Sequence, residues 1–94
     1  MEAKKFYEFY QYNSGGFIEH NEHLNHHVFI EADSAEEANE RALQFGIYFD
    51  GVDKDIDCEC CGDRWGRTSE RESCRLEDIK RLYREDLVSV IYKA

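Results

Sequence analysis

The 94-residue chain contains no proline, so its turns must rest on Gly, Asn, Asp and Ser. It lacks any run of the roughly 18 apolar residues that a membrane helix requires, which excludes a helical membrane span. The opening stretch MEAKKFYEFY has no long apolar segment ending in small residues. No secretory signal is read there, and a cytoplasmic location is expected. In that compartment cysteines are reduced or metal-bound rather than disulfide-bonded. No G-x-S-x-G elbow, glycine-rich phosphate loop or paired-carboxylate motif occurs, so no catalytic residue is assigned. Repeats, low-complexity tracts and linkers are missing too. A chain this short cannot divide its apolar side chains between two cores, and residues 1–94 are expected to form a single domain.

What the chain has in excess is negative charge: 21 acids against 12 bases, a formal balance of −9. Residues 1–50 hold ten acids, three bases and all four histidines, whereas residues 64–84 hold seven bases and four acids. Such a field repels nucleic acid and attracts basic surfaces, including those that proteins build to hold DNA or RNA. Plain solubility is the simpler use of the same charge. If the acids form a binding face, its residues are Glu19, Glu22, Glu31, Asp33, Glu36, Glu37 and Glu40.

KKFYEFYQY (4–12) reads as a strand with apolar side chains on both faces, so both faces are at least partly covered. NSGG (13–16) reads as a turn, Phe17 and Ile18 as a short strand, and HNEHLN (20–25) as a loop. HHVFIEA (26–32) is a strand with Val28 and Ile30 on one face and Phe29 on the other. SAEEANERALQFG (34–46) predicts a helix. Ser34 and Glu37 make a capping box, Ala35, Ala38, Ala42 and Phe45 form one stripe, and Gly46 is the stop. IYFDGV (47–52) is expected to be extended and to turn at Asp50-Gly51, and RTSERESCR (67–75) to be a polar loop. LEDIKRLYRE (76–85) spaces Leu76, Ile79 and Tyr83 as a helix does, and DLVSVIYK (86–93) is a last strand. The expected fold is α+β: a small, mainly antiparallel sheet of three to four strands with two helices packed on one face.

DCECCGDRW (57–65) contains C-x-x-C-G. In a metal knuckle Cys58 and Cys61 would supply two thiolates, Cys60 would point away, and Gly62 would let the backbone fold around sulfur. Zinc would need two more ligands, for which Cys74 and His23 are the candidates. Only one C-x-x-C is present, so a tight turn with reduced thiols stays open as the alternative. A redox pair lacks the helix N-terminus that stabilises thiolate. DKDID (53–57) starts as calcium loops do, but position twelve of such a loop would be Arg64 instead of glutamate. Arg64-Trp65-Gly66-Arg67 places cations beside an aromatic ring, as needed to stack a base or grip a phosphate. Arg64 and Trp65 are therefore candidate partner-binding residues, although a nucleic-acid partner conflicts with the overall charge. In the structural alternative Trp65 closes the core and Arg64 pairs with a nearby Asp.

FYEFYQYNSGGF (6–17), VFIEADSAEEANERA (28–42), GIYFDGVDKDIDC (46–58) and CCGDRW (60–65) together resemble a family of small uncharacterised bacteriophage proteins. That family opens with an aromatic strand and N-S-G-G and later carries D-C-x-C-C-G-D-R-W. The resemblance implies a viral origin and expression in the host bacterial cytoplasm, and it brings no activity with it. The leading expectation is a non-catalytic accessory protein that binds a host protein with a basic surface, such as a nucleic-acid-binding or defence protein. A second is a zinc-stabilised module whose Cys58–Trp65 segment presents the arginines to a phosphate-bearing or acidic partner. A third is a ligand-binding or enzymatic homodimer, because so short a chain hardly encloses a pocket alone.

Overall fold

The computed structural model describes residues 4–12, 23–57, 59 and 62–93. The NSGG turn, the Phe17–Ile18 strand, residues 20–22 of the following loop and Cys58, Cys60 and Cys61 lie outside the described residues.

The two segments richest in aromatic and β-branched side chains form the centre of the sheet. β1 (Phe6–Tyr10) and β2 (His27–Glu31) pair antiparallel, with Phe6 opposite Glu31 and Tyr10 opposite His27. β3 (Ser73–Cys74) adds to the other side of β1, antiparallel, opposite Tyr7 and Phe6. β4 (Val88–Ile91) runs parallel to β2, giving the strand order β3-β1-β2-β4. With α1 (Ala35–Leu43) and α2 (Leu76–Leu82), this is a small α+β fold on a four-stranded mixed sheet.

The helices, expected on one face, divide between the two. Successive strand residues point to opposite faces. Tyr7, Phe9, Val28 and Ile30 are buried with Ala35, Ala38 and Ala42 of α1, whereas Phe6 and Phe29 are buried with Ile79 of α2. Topology supplies the reason. β3 and β4 point the same way at opposite edges of the sheet, so the chain joining them must cross it. α2 is that crossing, and it lies over the face that α1 leaves bare.

α1 starts as its sequence predicts, with Ser34 Oγ accepting from the Glu37 N–H (3.1 Å). The return half of the capping box is displaced by one residue, since Glu37 Oε1 accepts from the N–H of Asp33 rather than of Ser34 (3.1 Å). The chain leaves the helix through Gly46 at φ +98°, a conformation that L side chains resist. Residues 47–52 form no strand. Ile47 and Phe49 point into the α1-side core, and a turn begins at Gly51. The expected polar loop at 67–75 contains a short 3₁₀ turn (Glu70–Glu72) and β3.

Small side chains let α1 approach the sheet closely. Ala38→Leu should overpack that contact and lower stability by about 1–3 kcal/mol, read as a lower urea midpoint at unchanged m. An unchanged midpoint would mean that the helix does not sit this close.

Candidate functional site

The segment between α1 and β3 has little regular structure, and a buried polar network holds it to the end of β1. Asp57 Oδ2 accepts from the Arg64 N–H (2.8 Å) and Oδ1 from the Tyr48 hydroxyl (2.7 Å). The Arg64 guanidinium donates through Nε to Tyr48 OH (3.2 Å) and through Nη1 to Gln11 Oε1 (2.8 Å). Its backbone carbonyl accepts from the Tyr12 N–H (2.9 Å). Gly51 packs so closely that a Cβ there would overlap the Asp57 carboxylate. Arg64 is 3% exposed and Trp65 1%. Neither presents a surface to a partner, which corrects their candidacy as binding residues: Trp65 closes the core and Arg64 pairs with the nearby Asp57. Arg67, two residues on, is at the surface. It is held by Asp50 (2.8 Å) and lies over the Phe49 ring at 4.9 Å.

The expected zinc set is not assembled from its described members. Cys74 sits on the α2 side of the sheet, where its Sγ donates to the Phe6 carbonyl (3.5 Å). Burial, then Glu8, Asp78 and Glu72, push its thiol up to about 11, so it holds its proton at neutral pH. The His23 ring lies 5.0 Å from that of Phe45, which packs into the core on the α1 side. A single ion cannot reach both donors across a sheet. Among the described residues no group of three or more His, Cys, Asp and Glu could hold a metal. Cys58 and Cys61 lie outside the described residues.

The candidate acids separate into two kinds. Lys93 Nζ lies 3.0 Å from Asp33 Oδ2 and 2.7 Å from Glu37 Oε1, and its backbone N–H donates to Glu31 Oε1 (3.0 Å). The hydrogen bond from Lys93, then the Asp33 N–H, hold the Glu37 carboxyl below its usual range. Arg41 reinforces the tie by donating to the carbonyls of Glu31 and Tyr92. These three acids thus fasten the C-terminal segment to the start of α1. Glu36 and Glu40 are exposed on α1 and have no ion pair among the described residues. Glu19 and Glu22 lie outside the described residues.

Two features were missed at the sequence level. The first is a cleft along β1. Chain 64–73 runs antiparallel to β1 and bonds to it at both ends, Arg64 to Tyr12 and Ser73 to Tyr7. Nine steps of chain there face only five, so the surplus bows outward and leaves an opening of about 180 Å³. Its walls include Tyr10, Tyr12, Arg67, Thr68 and Glu72. The outer wall is tied to α1: Asn39 exchanges two hydrogen bonds with the Thr68 backbone (2.8 and 3.2 Å), and Glu70 Oε1 accepts from the Ala35 N–H (2.7 Å). The second feature is a carboxylate-fixed imidazole under α2. His27 Nδ1 donates to Glu8 Oε2 (2.9 Å) and Tyr83 OH to Glu8 Oε1 (3.3 Å). Such a histidine has the arrangement of a general base, but the thiol on that face, Cys74, is held protonated. No local motif announces either feature, because each draws on residues far apart in the chain.

Fold and site together define a small α+β protein in which the described residues assemble no cluster of metal-ligating side chains. Residues 4–92 match the domain of unknown function DUF7296, and the chain belongs to that family. No curated protein and no solved structure matches the chain. No helix among the described residues is long and apolar enough to cross a membrane.

Arg64→Ala should cost about 3–5 kcal/mol, because it strands the buried Asp57 carboxylate. Urea unfolding checks this, and a loss under about 1 kcal/mol would show that the network carries little. Burial, then bonds to Glu70 and Asp57 respectively, push the Tyr7 and Tyr48 phenols up to about 12 from the usual 10. The folded chain keeps both protons where the unfolded chain sheds them, so stability is intact below pH 10 and falls as pH rises towards 12. Tyr7→Phe and Tyr48→Phe should each flatten that alkaline decline in thermal melts.

Proposed function

We propose that this protein is a non-catalytic accessory protein of bacteriophage origin that binds a basic surface of a host protein through the outer side of α1. The carrying observation is how the charges are spent. Arg64, Arg67, Arg75, Arg81, Arg84 and Lys93 each bond to a carboxylate of the same chain. With half of the twelve cations committed in this way, the surplus behind the −9 balance falls to carboxylates that have no ion pair among the described residues. Glu36 and Glu40 lie one turn apart on an exposed helix face and present that surplus on a rigid element. Within a Debye length of about 8–10 Å, such a face attracts a positive groove and repels nucleic acid. Host proteins that grip DNA or RNA supply grooves of that kind. Glu31, Asp33 and Glu37 add less to this attraction than their number suggests, because Lys93 already engages them.

Immobilised protein should retain basic nucleic-acid-binding proteins of a bacterial host, with affinity falling about tenfold or more between roughly 50 and 200 mM salt. Glu36→Lys with Glu40→Lys should abolish retention, while Asp33→Asn should change it little. Salt-insensitive retention, or an equal loss with Asp33→Asn, would count against the proposal.

A further inference from the structure

We infer that the cleft along β1 is a receptor for one arginine side chain of a protein partner. The inference rests on the reading of the protein as a binder of basic surfaces, and it names a point of contact that the outer face of α1 does not supply.

Four observations carry it. Tyr10 and Tyr12 are 42% and 56% exposed, with ring centroids 6.0 Å apart and planes at 80°. They form two walls at nearly right angles, and one of them can stack a planar cation while the other meets its edge. Glu72 stands in the same cleft with no ion pair among the described residues. The field there is negative: Glu72 first, then Tyr12, burial and Glu8 raise the Tyr10 phenol above its ordinary value. Thr68, only 7% exposed, also lines the cleft, and its Oγ1 has no hydrogen-bond partner among the described residues. A buried hydroxyl without a partner is costly, and a guanidinium N–H would satisfy it.

Arg67, the cation nearest this site, does not oppose a guest. Its guanidinium is paired with Asp50 and covers Phe49. At about 180 Å³ the cleft takes one long side chain, whereas drug-sized ligands occupy roughly 300–1,000 Å³. Guanidinium suits it better than ammonium. A flat fork can stack on one ring while donating in its own plane to a carboxylate and a hydroxyl, and a compact ammonium cannot do both.

Titration of isotope-labelled protein with N-acetyl-arginine amide, followed by NMR, tests the assignment. Amide shifts should concentrate at Tyr10, Tyr12, Gly66–Ser69 and Glu72. They should be absent with the uncharged isostere, N-acetyl-citrulline amide, and weaker with N-acetyl-lysine amide. Glu72→Gln and Tyr12→Ala, both at accessible positions, should each weaken binding about three- to tenfold, while Glu85→Gln, exposed just before β4 at the opposite edge of the sheet, leaves the titration unchanged. Shifts scattered over the surface, an equal response to citrulline or lysine amide, or indifference to Glu72→Gln would overturn the assignment. If the titration fails while basic proteins are still retained through Glu36 and Glu40, the cleft alone is disproved. If both fail, the binding function falls with it.

Discussion

One buried carboxylate organises the irregular half of this protein. Asp57 accepts from the backbone of Arg64 and from the hydroxyl of Tyr48, and the guanidinium of Arg64 reaches on to Gln11 beyond the end of β1. A buried ion pair adds little net stability over well-packed apolar side chains, yet removing one partner is expensive. Its contribution is therefore placement. The network fixes where residues 48–64 return to the sheet, and the Arg64 carbonyl bonded to Tyr12 fixes where the chain begins to run beside β1. β3 fixes where that run ends. The excess of chain between the two anchors must bow outward, and the cleft is the result.

The regular elements were legible because their signals are local. Ser34, Glu37 and the alanines at 35, 38 and 42 describe α1 from cap to buried stripe within a dozen residues. The arrangement of helices about the sheet was half legible. Phe6, Tyr7, Phe9 and Tyr10 place apolar groups on both faces of one strand, which already demands cover on both sides, but which element supplies it follows only from the direction of β3 and β4. A two-residue strand such as β3 is too short to show a period. Arg64-Trp65 reads alike whether it faces solvent or core, and the deciding residue, Asp57, lies seven positions upstream. Composition announced the excess of acids without saying which of them have partners, and Lys93 at the far end of the chain engages two of them.

The two kinds of acid do different work. Asp33 and Glu37 share Lys93, and Glu31 takes its backbone N–H, so the C-terminal segment is pinned beside the first turn of α1. Glu70 reaches the same turn from the other side, accepting from Ala35 and from the Tyr7 hydroxyl. Carboxylates at a helix N-terminus are also favoured by its dipole. What remains for the outside, Glu36 and Glu40, projects from a helix that is held at its start from two directions. A charged face on so well-fixed an element would lose little conformational entropy in the docking proposed for it.

Glu8 connects the two faces. It lines the cleft, yet its carboxylate accepts from His27 and Tyr83 beneath α2. That commitment leaves Glu72 as the cleft acid without an ion pair among the described residues, and it holds the Tyr10 end of β1 in line through the contact between Tyr10 and His27, whose rings lie 6.1 Å apart. In a chain of this size the core is spent on holding the sheet between its two helices. On the proposed binding role, specific recognition would then come from a place where the ladder fails. Here that failure is set by two fixed anchors and walled by aromatic rings, with a carboxylate, and a hydroxyl unpartnered among the described residues, that match the donors of the proposed guanidinium.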